Sequence, residues 1–139
     1  MLRVLILCTG NSARSQMGEG LLRHLGAGAL DVASAGTRPS LVRPEAIEAM
    51  SELGIDITGH RSKHVDELAS VPFDYVITVC DHANETCPVL PGAPMRIHWS
   101  IPDPAAIDGT DAERLDAFRS ARDMLSRLLR DFRRSLPNA

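Results

Sequence analysis

Five side chains in this sequence carry reactive chemistry at spacings that call for an explanation: Cys8, Arg14, Cys80, Cys87 and Asp103. The first two enclose small polar residues in CTGNSARS, residues 8–15, directly after the apolar stretch VLIL. A loop of that composition, passing from a strand into a helix, turns backbone N–H groups inward, and the helix N-terminus adds partial positive charge. Arg14 offers a planar fork that fits two oxygens of a tetrahedral oxyanion. Cys8 lies at the mouth of that field, so its pKa is expected to be lowered and its nucleophilic thiolate favoured. Ser15 is placed to donate a hydrogen bond to that thiolate. The expected oxyanion-binding set is Thr9, Gly10, Asn11, Ser12, Ala13, Arg14 and Ser15. A lone C-x5-R also fits a structural cysteine beside a surface arginine; the strand-to-helix position and the following Ser15 favour the site.

The chain has three cysteines, Cys8, Cys80 and Cys87. An odd, small number argues against a disulfide framework and leaves packing, metal binding or redox chemistry. The seven-residue spacing of Cys80 and Cys87 matches no zinc pattern, and no metal site is expected. Taken singly, Cys80 also reads as a buried residue completing an apolar strand, Cys87 as a surface thiol, and Asp103 as a turn residue before Pro104.

The elements that must position these groups follow from hydrophobic periodicity. Residues 2–7 read as a buried strand, and the loop leads into a helix with Met17, Leu21, Leu22 and Leu25 on one face and Gly26 as its stop. LDVASAGT is a second strand. Pro44 opens a helix whose stripe is Ala46, Ile47, Met50 and Leu53, stopped by Gly54. SKHVDELAS suggests a short helix capped by Ser62. FDYVITVC is a third strand, DHANETC a short helix, PVLPGAP a loop and MRIHWS a fourth strand; a long amphipathic helix starts near Asp111. Strands alternating with helices imply right-handed crossovers and a parallel sheet covered on both faces, with ligands at the C-terminal ends of the strands. Cys8, Cys80 and Asp103 all fall at that rim.

At 139 residues, 44% hydrophobic and 24% charged, the chain reads as one domain, residues 1–139. A net charge of −3 gives no reason to expect nucleic acid or membrane as partners, and no apolar run approaches the ~20 residues of a bilayer span. The first residues lack a signal-peptide pattern, so the expected location is cytoplasmic, with a monomer as the simplest state.

In combination, CTGNSARSQMGEG, SAGT, IDITGHRS, VITVCDHANETCPVLPG and HWSIPDPA resemble the thioredoxin-coupled arsenate reductases built on the low-molecular-weight phosphotyrosine phosphatase fold. The likeness runs from Leu2 to about Arg130. It implies a three-layer α/β sandwich with a four-stranded parallel sheet in the order 2-1-3-4. It also implies that Cys8 attacks arsenate, that Arg14 and the loop amides bind its oxygens, and that Asp103 protonates the leaving oxygen. Cys80 would then attack Cys8, and Cys87 would attack Cys80, passing the oxidised pair to reduced thioredoxin. No tightly bound cofactor is implied, and phosphate and sulfate are expected competitors.

Seven helical residues advance ~10.5 Å, whereas a disulfide needs its Cα atoms within roughly 4.4–6.8 Å. Oxidation is therefore expected to unwind residues 81–94 locally. Two departures stand out. Ala13 occupies a position that is cysteine in many arsenate reductases. Asn11, Glu19 and Ser34 match positions that surround a potassium ion in some members, but Lys63, the only lysine, replaces a carboxylate there. The expectation is that its ammonium replaces the cation, and a strong rise in turnover in potassium over sodium would contradict it. His24, His60, His64 and His82 read as surface or helix-end residues and His98 as a packing residue. Competing functions are hydrolysis of a small aryl phosphate or phosphotyrosine, and non-catalytic oxyanion or thiol sensing.

Overall fold

The computed structural model describes residues 1–81, 90–92 and 94–136. Four strands, β1 (Leu2–Cys8), β2 (Leu30–Gly36), β3 (Tyr75–Thr78) and β4 (Met95–His98), form one parallel sheet in the order β2-β1-β3-β4. This is the order the resemblance implies. The helices are α1 (Arg14–Gly26), α2 (Pro44–Ser51) and α3 (Asp111–Ser135). None among the described residues is long and apolar enough to cross a membrane.

The central strand explains the architecture. Val4, Leu5, Ile6 and Leu7 are all fully buried, as a strand covered on both faces requires. On one face Gly18 of α1 lies against Ile6, so close that a Cβ there would meet Ile6 Cδ1 at 3.2 Å. The core continues through Met17, Leu22, Met50, Ile77, Phe118, Leu125 and Leu129. Helix α3 packs on α1 and α2, and Phe132 meets Tyr75 of β3 edge to face at 5.2 Å.

Register fixes the rim. Leu7 pairs with Ala35 on one side and Thr78 on the other, so Cys8 and Gly36 are adjacent strand ends and Cys80 lies just past the end of β3. From Gly36 the chain runs back along the loop: the N–H groups of Thr37, Arg38, Ser40 and Arg43 donate to the carbonyls of Cys8, Thr9, Gly10 and Ser12 at 3.2, 2.8, 3.1 and 2.8 Å. This strap requires close approach, and a Cβ at Gly36 would run into the Thr9 carbonyl oxygen. That is the physical content of the glycine in SAGT.

Local details differ from the sequence reading. The short helix is a 3-10 turn at Val65–Leu68, capped by the His64 ring, which accepts from Asp66 N–H at 3.0 Å. Ser62 instead donates its hydroxyl to the Gly10 carbonyl at 2.9 Å, tying a second segment to the loop. Gly26 is the last helical residue rather than the stop; Ala27 takes the left-handed conformation at φ 47° and its N–H closes on Arg23. Leu53 lies past the end of α2 and is exposed rather than part of its apolar stripe.

Candidate active site

Residues 8–15 lead from the end of β1 into α1, whose first-turn N–H groups have no acceptors within the helix, and the loop borders a cavity. That cavity, of about 170 Å³, is lined by Cys8, Thr9, Gly10, Ser12, Ala13, Arg14, Arg43, Asp103 and Ala105. It brings Cys8, Arg14 and Asp103 together with Thr9, Gly10, Ser12 and Ala13 of the loop.

Asn11 organises the loop. Its backbone has φ 46°, a left-handed conformation that Asn tolerates better than most residues. Its buried side chain makes four hydrogen bonds. Nδ2 donates to Ser15 Oγ at 2.7 Å and Ser34 Oγ at 3.0 Å; Oδ1 accepts from Gln16 Nε2 and from the Lys63 backbone N–H, both at 3.0 Å. Ser34 passes the chain on, donating to Glu19 Oε1 at 2.7 Å. Because Ser15 Oγ already accepts from Asn11, its own proton is available to Cys8 Sγ, 2.8 Å away. The Asn11 backbone N–H also donates to that sulfur, at 3.2 Å.

The sequence suggests a lowered Cys8 pKa, and the structure corrects this. Burial pushes the thiol up, outweighing the Ser15 and Asn11 hydrogen bonds and the Arg14 charge, which all pull it down. Those three influences act as expected; what the sequence did not convey is how completely Cys8 is enclosed, at 2% exposure.

Arg14 donates to the Ile101 carbonyl at 2.9 Å and stands 3.9 Å from Asp103 Oδ2. Asp103 Oδ1 accepts from the Ala105 N–H at 3.0 Å, which fixes the carboxyl at the cavity wall as the cap of a 3-10 turn. Its turn role and its place opposite Cys8 are thus both real. Cys80 is a buried thiol whose Sγ lies 3.2 Å from the Thr9 hydroxyl, beside the loop that carries Cys8. Cys87, His82 and most of the segment in which unwinding is expected (residues 82–89 and 93) lie outside the described residues.

Around Glu19, among the described residues, the Arg23 guanidinium lies at 3.0 Å and the His60 ring at 3.3 Å, and burial lowers the His60 pKa. Lys63 meets the cluster through its backbone N–H, and burial lowers its ammonium pKa while Glu19 raises it. His60, read from sequence as a surface residue, is wired into the site: Nδ1 faces Gln16 Oε1 at 3.0 Å and Nε2 faces Glu19. His98 is more than packing, since it bridges Thr78 Oγ1 and Asp81 Oδ1, both at 2.8 Å. Sequence reasoning also missed Gln16, which ties α1 to Asn11 and to the Arg61 carbonyl, and Arg43 in the cavity wall. Arg43 carries no motif, and Gln16, although inside CTGNSARSQMGEG, has no chemistry that marks it; only the folded strap and helix show their contacts.

A parallel α/β sheet presenting a cysteine, an anion-cradling loop and an arginine at one rim defines a thiol-based oxyanion site of the phosphatase type. The chain belongs to the low molecular weight phosphotyrosine protein phosphatase family, whose model matches residues 3–139. An arsenate reductase from Halalkalibacterium halodurans is 41% identical over 129 residues, 93% of each chain. The solved structure of an arsenate reductase in the phosphate binding state superposes with a TM-score of 0.80 at 32% identity, covering 99% of this chain and all of that one. Another, in the oxidized state, gives 0.81 at 31% identity over 96% and 98% of the two chains.

Proposed function

We propose that this protein reduces arsenate to arsenite through a relay of Cys8, Cys80 and Cys87, with reduced thioredoxin as electron donor. The observation that carries the reading is a second buried thiol, Cys80, held beside the Cys8 loop through Thr9. A phosphatase has no use for it. By register Cys80 lies one residue beyond the level of Cys8 on the adjacent strand, and strand spacing and rise put their Cα atoms ~6 Å apart, inside the span of a disulfide. The similarity to arsenate reductases over nearly the whole chain supports the same reading.

The chemistry balances with these residues. The Cys8 thiolate attacks arsenic(V), and an arsenate oxygen leaves as water with a proton from Asp103, while Arg14 and the loop N–H groups hold the remaining oxygens. The Cys80 thiolate attacks Cys8 Sγ; a disulfide forms, the sulfur–arsenic bond breaks, and its electron pair stays on arsenic, which departs as arsenite. Cys87 then displaces Cys8 from Cys80, and thioredoxin reduces the Cys80–Cys87 disulfide. Two thiols are oxidised for the two electrons arsenic gains. Near Glu19, the Lys63 ammonium stands in place of potassium, a reading supported by the pull of Glu19 on its pKa.

The competing reading is aryl phosphate hydrolysis, which uses the same loop. Among the described residues no aromatic side chain lines the cavity to stack on an aryl ring, which favours a small inorganic oxyanion. The test is consumption of NADPH by thioredoxin reductase and thioredoxin with arsenate. Wild type should turn over continuously, whereas Cys80→Ser and Cys87→Ser should stop after one equivalent or less yet keep any hydrolysis of p-nitrophenyl phosphate. Sustained arsenate turnover in Cys80→Ser would end the relay reading.

A further inference from the structure

The cavity wall holds a cation that the relay leaves without a task. Arg43 lines the oxyanion cavity together with Arg14 and Asp103. Its backbone N–H donates to the Ser12 carbonyl at 2.8 Å, and its own φ of −68° and ψ of 135° are extended, immediately before the proline that opens α2. The residue is thus fixed to the loop on one side and to a helix start on the other. Its side chain is half-buried, and among the described residues no carboxylate lies within 4.0 Å of it. The nearest acid along α2, Glu45, is already paired with Arg114 at 3.0 Å. Arg14 differs: it is engaged by the Ile101 carbonyl and by Asp103.

We infer that Arg43 is a second anion-binding residue of this cavity, which captures small multiply charged tetrahedral oxyanions at its open side and sets the preference for them. The inference deepens the proposed function by naming what selects its substrate, and it rests on that reading for arsenate but not for phosphate. With Arg14 alone, one guanidinium faces one carboxylate and the cavity wall carries no net charge. With Arg43 the wall is positive, which a dianion needs when it leaves water. Arg43 itself forms part of the wall beside which an aryl substituent would lie, so the same residue attracts the inorganic anion and narrows the room for an ester. Because Arg43 is tied to Ser12 only through its backbone, replacing its side chain leaves the strap in place.

The experiment measures binding of inorganic phosphate and sulfate by titration calorimetry, and protection of Cys8 from iodoacetamide, in wild type, Arg43→Gln and Arg43→Lys. Steady-state arsenate kinetics run alongside. In Arg43→Gln the Kd for phosphate and the KM for arsenate should both rise about fivefold, the effect of roughly 1 kcal/mol lost from a partly exposed charge pair. The value of kcat should fall less than twofold, and Arg43→Lys should recover most of the affinity. An unchanged phosphate Kd in Arg43→Gln, or a fall in kcat with KM unmoved, overturns the inference. Arginine-dependent phosphate binding in a protein that fails to reduce arsenate would sustain it and place the fault in the proposed function.

Discussion

Two polar clusters hold this molecule together, and they are built from opposite materials. Around Asn11, amide and hydroxyl groups of Asn11, Ser15, Gln16 and Ser34 form a buried chain of neutral hydrogen bonds, with formal charge only at its far end, where Glu19 pairs with Arg23. Between α2 and α3, Glu52 takes Arg119 on both carboxylate oxygens and Arg122 at 2.8 Å, while Asp116 and Asp123 flank the arginines. The first cluster fixes the loop proposed to receive an anion; a carboxylate fixed within that loop would repel it, and an ion pair fixed there would use up the positive field. The second has no ligand to serve and spends its charges on itself. Position is set by neutral bonds where charge must stay available, and by ion pairs where it need not.

The strongest way to break the comparison is Asn11→Ala. It removes four hydrogen bonds from buried partners and asks a Cβ-bearing residue without a compensating side chain to keep φ at 46°. The expected loss is ~2–4 kcal/mol in denaturant unfolding and at least ~100-fold in kcat/KM from misplacement of the loop. Asn11→Gly separates the two causes: it should recover only the backbone part, about 1 kcal/mol. Near-complete rescue by glycine would show that the hydrogen-bond chain is dispensable.

A smaller effect sharpens the role of one link. Ser15 provides the largest pull that lowers the Cys8 pKa against burial. Ser15→Ala removes it, so the thiol should titrate at higher pH still. The pH profile of iodoacetamide alkylation should move to higher pH, making reaction near pH 7 slower. A profile that stays in place, or moves to lower pH, would mean the serine does not hydrogen-bond the thiolate.

How far this site was legible in the sequence depends on what kind of signal each residue carries. The parallel sheet, the strand-end positions of Cys8 and Gly36, and the α1 face came from period and motif, because burial repeats along the chain, whereas the strand order came only from the family resemblance. Asp103 was legible because it follows a strand at the rim. Cys8's raised pKa was not, since enclosure is a property of everything packed around a residue rather than of its neighbours in sequence. Arg43 and His60 were missed for a related reason: each reaches the loop from a separate segment, and no local pattern marks that return; Gln16 follows the loop directly, but which way its side chain turns is set only by the fold. Ser62 and His64 exchanged roles because both are good caps and only the strap geometry chooses between them.

The last and smallest effect tests the charged cluster. Arg119 and Arg122 hold the Glu52 carboxyl down to about 2 from its ordinary 4.5. A carboxylate depressed on folding contributes stability that is fully present above the unfolded value and is lost as pH falls through the folded one. Glu52→Gln should therefore lower Tm by a few degrees at pH 7, where wild type has the whole contribution. The two proteins should converge as pH drops from 4.5 towards 2. Solvent reaches this carboxylate, so added salt should narrow the gap at pH 7. The neutral Asn11 cluster responds to neither: Asn11→Ala should keep its deficit at low pH and in high salt. A Glu52→Gln gap that persisted unchanged at pH 2.5 would mean that the residue acts through packing of α2 on α3, and the contrast between the two clusters would fail at its charged end.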